Sequence, residues 1–387
     1  MRDYFAKCEQ IVKNVKEIST MIIMDIEIDN LFAFKNFHMN MSYPKKIVKS
    51  TIDSEYLAER PKFRYKKLNI IMGANATGKT SLGKVLMRFA NYLLDGVYGR
   101  ILETINDSSK TATLKIEFVA NKNIFYRFDM NVRPKSSDNY KEKDVDIKIK
   151  KTDILKNDSY ELCKRKIDEG DCVEAKYDEI NTKGWYFCYP YDVLENYKII
   201  ENDRRYLNVL EKVLKTLDPA IESVKVVEEV ANTYAIKLNN HSIIIKEGKV
   251  NANDINILSS GTKAGLDIAY FITSLVCNKH DLYYIDEKFS YVNSDIEKTC
   301  LSVAIDKLTD GKQLFFTTHN TDILDMRLPK HSFTFLKKDV SDNEEPIKCV
   351  YASDYLKRNT DSLKSAVEND LFCIAPELNE LYKIDEL

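Results

Sequence analysis

Gly73-Ala74-Asn75-Ala76-Thr77-Gly78-Lys79-Thr80 is the stretch that most restricts how this chain can fold. The apolar run Leu68-Asn69-Ile70-Ile71-Met72 precedes it, and apolar residues at helical spacing (Leu82, Val85, Leu86, Phe89, Leu93) follow it. The pattern G-x-x-x-x-G-K-[ST] thus lies between a predicted strand and a predicted helix. Gly73 and Gly78 let the backbone curl so that successive N–H groups point inward, at the positive end of the helix, where phosphate oxygens bind. Lys79 adds a point charge for β- and γ-phosphates, and the Thr80 hydroxyl is a candidate Mg²⁺ ligand. The candidate nucleotide contacts are Gly73, Asn75, Ala76, Thr77, Gly78, Lys79, Thr80 and Ser81.

A second apolar run, Leu282-Tyr283-Tyr284-Ile285, ends in Asp286-Glu287. Neighbours on a strand face opposite ways, so the pair can divide labour. Asp286 would reach Mg²⁺ directly or through water, and Glu287 would take a proton from an attacking water. An acidic pair after a strand also serves as a helix cap or a solvated turn. Between the two runs, Leu258-Ser259-Ser260-Gly261-Thr262 opens an apolar helix, which reads as an anion site or as an N-cap and turn. Phe289-Ser290-Tyr291-Val292-Asn293 follows the acidic pair, and a last apolar strand, Gln313 to Thr318, ends at His319. A histidine there is either a ligand contact at the carboxyl end of a sheet or a structural residue.

In this order the five pieces resemble the ABC-type ATPase fold, in the branch that holds the SMC and RecF heads and the OLD-like AAA ATP-binding proteins of phage defence. They correspond to Walker A (Gly73 to Thr80), signature (Leu258 to Thr262), Walker B (Leu282 to Glu287), D-loop (Ser290 to Asn293) and switch histidine (His319). The resemblance implies an α/β P-loop NTPase: an ABC-ATPase head with a mixed or parallel core sheet, an antiparallel β subdomain and a helical signature lobe. It implies ATP hydrolysis with ATP and Mg²⁺, Thr80 and Asp286 on the metal, and Lys79, Glu287 and His319 as catalytic residues. It also implies a homodimer through the ATP sites, with Ser259, Ser260 and Gly261 binding the γ-phosphate in trans; higher oligomers stay open. Three departures stand out. The only glutamines are Gln10 and Gln313, so the glutamine that usually touches the metal has no counterpart; Lys288 stands where many relatives have proline; and no heptad run of SMC length occurs.

Organisation follows from these landmarks. Residues 1–20 read as an amphipathic helical extension or a tail, 21–132 as the first ATPase lobe with two antiparallel strands turning at Asn121 to Asn123, and 133–205 as a polar insertion, of which 133–180 is a mobile or partner-facing arm or a solvated insertion with no role of its own. Residues 206–278 form the helical lobe with the signature, 279–336 the second part of the ATPase core, and 337–387 a hairpin and helical tail. Asp339, Asp342, Glu344 and Glu345 are expected to be a solvated turn of that hairpin rather than a metal site.

With 58 Lys+Arg against 60 Asp+Glu, no bulk basic field points to nucleic acid, so any such contact would be a local patch. Eight scattered cysteines lack a C-x-x-C pair, which favours reduced thiols over zinc or disulfides. The charged N-terminus is unlike a signal peptide, and the longest apolar stretch is about half the roughly 20 residues of a bilayer span. A cytoplasmic protein without membrane contact is expected. The leading functional expectation is an ATP-dependent sensor or regulator of a separately encoded effector, a nuclease or toxin, in bacterial antiviral defence of the abortive-infection type. The alternatives are a RecF-like repair ATPase that clamps duplex DNA and a non-hydrolysing ATP clamp.

Overall fold

The computed structural model describes residues 20–47, 50–190, 204–230, 233–239, 241–246, 249–250, 259–339, 341–358, 361–374 and 384. The helix expected over 1–19, signature position Leu258, and tail positions Leu378 and Leu381 lie outside them. The first half contains β1 (Met21–Asp29), β2 (Phe37–Asn40), β3 (Tyr56–Leu57), β4 (Arg60–Arg64), β5 (Leu68–Met72), α1 (Lys79–Asp95), β6 (Ala112–Ala120), β7 (Ile124–Val132), β8 (Val145–Asp153), α2 (Tyr160–Asp168), β9 (Val173–Glu174) and β10 (Trp185–Cys188). The second contains α3 (Arg204–Leu217), β11 (Ile221–Val226), β12 (Thr233–Leu238), β13 (His241–Lys246), β14 (Lys249–Val250), α4 (Ser260–Val276), β15 (Leu282–Asp286), α5 (Ser294–Lys307), β16 (Gln313–Thr317), β17 (Phe333–Lys338), β18 (Ile347–Tyr351) and α6 (Leu363–Glu368).

β5, β15 and β16 are buried along their whole length, as apolar runs without alternation predict for the middle of a parallel sheet. Their sheet has the order β10-β15-β16-β5-β17-β18 and is parallel except for β18. Successive side chains point to opposite faces. Ile70, Ile285 and Phe316 therefore pack towards Leu210, Leu214, Ile268 and Leu301 of α3, α4 and α5. Ile71, Tyr284 and Phe315 pack on the other side with Leu82, Leu86 and Phe89 of α1, beyond which lie Ile23, Phe118 and Phe128. Helix α1 is thus held between the core sheet and an antiparallel sheet of order β2-β1-β6-β7-β8-β9. A smaller sheet, β11 to β14, belongs to the same cluster as α3 and α4.

The segment 133–180, expected to be a mobile or partner-facing arm, is built into this architecture. β8 pairs with β7 over nine residues, Ile124↔Asp153 through Val132↔Val145. Helix α2 sets Tyr160, Cys163 and Ile167 on the outer face of the antiparallel sheet, beside Val119 and Phe125. A buried ion pair fixes it: Arg127 contacts Glu117 at 2.6 Å and Asp168 at 2.6 Å, while the Tyr160 hydroxyl donates to Glu117 at 2.5 Å. A carboxylate and a guanidinium removed from water need such multiple partners. Further on, β10 joins the edge of the core sheet.

The two sheets are tied by Gln313, fully buried at the start of β16. Its side-chain amide acts like a peptide group: Oε1 accepts from Ile23 N–H at 2.9 Å, and Nε2 donates to the carbonyls of Ile23 and Lys66, each at 3.0 Å. It meets β1 where the β1–β6 register shifts, between Ile23 and Asp25. The acidic turn between β17 and β18 is a capped loop: Asp342 accepts from the N–H groups of Glu344 and Glu345 and pairs with Lys348 at 2.8 Å. Among the described residues no helix is long and apolar enough to cross a membrane.

Lys66 gives a pH test of this packing. Its ammonium, 4% exposed, donates to Asn40 O at 3.0 Å and lies 3.7 Å over the Tyr351 ring. Burial lowers its pKa to about 8. Between pH 8 and 10.5 the unfolded chain holds this proton and the folded chain does not, so stability rises with pH across that window. Relative to Lys66→Met, the parent should gain about 3 kcal/mol from pH 8 to 10.5 in chemical denaturation. A pH-independent difference would show that the group stays charged in the fold.

Candidate active site

Three neighbouring parallel strands deliver the chemistry at one edge. β5 runs into the loop 73–80, β15 ends at Asp286 and β16, between them, ends at Thr317. Open α/β sheets place ligands at this carboxyl end.

The loop is compact. Gly78, the N-cap of α1, is left-handed at φ 98°, and a Cβ there would stand 3.0 Å from the Phe34 ring. A Cβ on Gly73 would come within 2.5 Å of the Leu336 carbonyl oxygen, so only glycine lets β17 approach. Lys79 Nζ donates to the carbonyls of Gly73 at 2.8 Å and Ala74 at 3.1 Å, and Thr77 Oγ1 donates to Ala74 O at 2.9 Å. Asn75 and Ala76 form the exposed crest, and Ser81 is half-buried in the first turn of α1. Tyr284 supports the loop from below: its hydroxyl donates to Lys79 O at 2.6 Å. Its ring fills the space that a Cβ on Gly83 would need.

The acidic pair meets this loop. Asp286, fully buried, accepts from Thr80 Oγ1 at 2.6 Å on one oxygen and from Thr317 Oγ1 at 2.6 Å on the other. Burial raises its pKa, and the two hydroxyls oppose the rise. A hydroxyl and a carboxylate side by side are a hard oxygen set of the kind Mg²⁺ takes.

Glu287 adopts φ 47°, uncommon for a residue with a Cβ, and its N–H donates to Thr317 Oγ1 at 3.0 Å. Oε1 then lies 2.8 Å from His319 Nε2 and 3.3 Å from Lys79 Nζ. Burial pushes this carboxyl up, but the His319 hydrogen bond and the Lys79 charge outweigh it, so its pKa falls below the ordinary value. Glu287 is ionised at neutral pH, the state a general base requires. Burial lowers Lys79, with Glu287 opposing.

Lys79, Thr80, Asp286, Glu287 and His319 thus converge, while Ser259, Ser260 and Gly261 stand at the start of α4, where a Cβ on Gly261 would be 3.3 Å from the Tyr291 carbonyl oxygen. Ser259 caps α4, accepting from Thr262 N–H at 3.0 Å, and both serines are exposed. No hydrogen bond or ion pair among the described residues joins them to the loop 73–80. Lys288 has a local reason: it pairs with Asp267 of α4 and donates to Tyr189 O at 3.3 Å, tying the turn of Glu287 to the helix that carries the serines. Sequence reasoning missed Thr317 and Tyr284. Thr317 carried one available signal, a hydroxyl two residues before His319 at the end of a core strand.

The same donor types occur once more among the described residues, at Asp25, Glu27 and His38 of β1 and β2. There His38 at 2.8 Å and Asn40 at 2.6 Å already hold Asp25, and Lys115 at 2.8 Å holds Glu27.

No protein-family profile and no curated protein matches this chain. Solved structures do. An Smc head domain with an extended coiled coil bound to the C-terminal domain of ScpA, from Pyrococcus furiosus, superposes with a TM-score of 0.50 at 11% identity, over 87% of this chain and 98% of that one. An SmcHead bound to the C-winged helix domain of ScpA gives 0.49 at 13% identity, over 87% and 100%. The SMC head domain from Thermotoga maritima gives 0.42 at 11% identity, over 85% and 98%. At this identity the likeness concerns the fold, and the Pyrococcus furiosus superposition carries it: the chain has the fold of an SMC head domain.

Proposed function

We propose that this chain is an ATP hydrolase that works as a head-to-tail pair of copies. The observation that carries the reading is the meeting of Lys79, Thr80, Asp286, Glu287, Thr317 and His319 around one glycine-framed loop. ATP is the substrate, and its β- and γ-phosphates draw Lys79 from the carbonyls of Gly73 and Ala74, because a charge-assisted bond outweighs a neutral one. Thr80 and Asp286 would hold Mg²⁺, with Thr317 orienting the carboxylate. When bound, the ion neutralises charge on the phosphate oxygens. Glu287 takes the proton of the attacking water, and His319 keeps that carboxylate aimed.

Ser259, Ser260 and Gly261 would complete the site of the other copy, binding its γ-phosphate. A ligand that touches both copies stabilises only the closed pair, so ATP favours pairing and hydrolysis releases it. In our reading this cycle holds or releases a separately encoded effector, a nuclease or toxin, in bacterial antiviral defence. The support is the likeness of Ser259-Ser260-Gly261 and of Phe289 to Asn293 to that branch.

Ser259→Arg tests the shared site. A single copy should bind ATP as the parent does, while ATP-dependent pairing disappears and hydrolysis falls about 100-fold. Sedimentation and phosphate release read the two effects. Unimpaired turnover in this variant would mean that each copy hydrolyses alone.

A further inference from the structure

At the opposite end of the core sheet, beneath the amino ends of β5, β10 and β16, lies a pocket of about 980 Å³. Ligand pockets span roughly 300–1,000 Å³, so this one is large enough for a small molecule. Lys67 and Lys312, 2% exposed each, line it together with Lys183 and Arg327. Lys312 is the unusual group. Its ammonium makes one hydrogen bond, to the His280 carbonyl, with the Tyr283 ring 5.9 Å away, and no ion pair of Lys312 occurs among the described residues. Lys67 donates to Asp53 O at 2.8 Å and reaches half-exposed Asp310 only at 3.8 Å. Buried Asp281 attracts Lys312, and Asp310, Glu55 and Asp53 attract Lys67, but among the described residues only Asp310, at 3.8 Å, comes within ion-pair distance, so holding two ammonium groups out of water stays costly. Burial lowers the pKa of both, Lys312 to about 8. The carboxylates of the lining, Asp53, Asp306 and Asp310, are exposed.

We propose that this pocket is a second anion site, distinct from the phosphate loop, which takes a small phosphorylated molecule with its phosphoryl or pyrophosphoryl group on Lys67 and Lys312. A compact anion inside the pocket adds a close counter-charge, which Asp281 and Asp310 supply only from a distance. An extended polyanion would have to lie along the exposed acids, which repel it. Lysine suits the role because it binds phosphate as a point charge.

Calorimetry with inorganic pyrophosphate on the full chain carrying Lys79→Ala, which disables the loop, tests this. One pyrophosphate per chain is expected, with affinity falling about tenfold or more on adding Lys312→Met or Lys67→Met and kept on adding Lys312→Arg. Removing an undercompensated buried charge should leave these variants folded. Arg327→Ala, on the exposed part of the lining, should weaken binding about threefold and serves if a buried variant fails to fold. The proposal is overturned if the Lys79→Ala chain binds no pyrophosphate, or if Lys312→Met melts cooperatively and binds it unchanged. Tighter binding of a short oligonucleotide than of pyrophosphate at this site would also overturn it.

Discussion

Glu287→Gln should abolish turnover while ATP binding survives. A general base contributes about 10²- to 10⁴-fold, and a neutral amide cannot take the proton, so phosphate release should fall by about that range. The geometry explains why binding should persist. Gln keeps an oxygen for His319, now 2.8 Å from Glu287, and the backbone N–H remains on Thr317. The Lys79 ion pair at 3.3 Å is lost, which frees Lys79 for phosphate, so ATP should bind at least as tightly. A filter-binding measurement beside a single-turnover assay separates the two effects. Loss of less than about tenfold in hydrolysis would remove Glu287 as the base.

The second large effect concerns stability. Gln313→Leu removes three hydrogen bonds at once and leaves Ile23 N–H and Ile23 C=O buried without their partner, while Lys66 C=O keeps only its bond from Asn69 at 3.0 Å. Each such orphan costs about 1–3 kcal/mol, and for the two, with partial relaxation, the sum should be about 2–4 kcal/mol in urea denaturation. The consequence reaches the site, because Gln313 opens the strand that ends at Thr317 and leads to His319. A loss below about 1 kcal/mol would mean that other contacts join the two sheets.

Gln313 also shows what a sequence can and cannot disclose. In the sequence Gln313 is the first residue of the last apolar strand and one of two glutamines, neither of them in the expected metal loop. Its role depends on Ile23, 290 positions away, and no local pattern encodes that contact. The loop 73–80 and the strands β5, β15 and β16 were legible for the opposite reason. Glycines, a lysine, carboxylates and uninterrupted apolar runs carry their meaning within a few residues. The antiparallel pair β6 and β7 was legible through its alternation and its turn at Asn121 to Asn123.

β8 and α2 were not, because each buries only a thin stripe. β8 alternates isoleucine with lysine, and α2 offers Tyr160, Cys163 and Ile167 against five charged residues, so composition alone made the segment look like solvent-exposed chain. β10 is four residues long and gains its meaning only from pairing with β15. Thr317 and Tyr284 were hidden in apolar strands, where one hydroxyl draws no notice until its partners, Asp286 and the Lys79 carbonyl, are placed beside it. The motifs thus announced the groups that meet the nucleotide in the proposed site. The groups that hold them in place came from the fold.

The central claim is that each ATP site is shared between two copies. Lys79→Ala and Ser259→Arg should each be inactive alone. A mixed pair brings an intact loop from one chain to an intact Ser259 from the other, restoring one of two sites. Since neither variant pairs with itself, mixing equal amounts should form mixed pairs with one intact site of two and recover up to about half of the parent's phosphate release. No recovery from two chains that each remain folded would contradict the account.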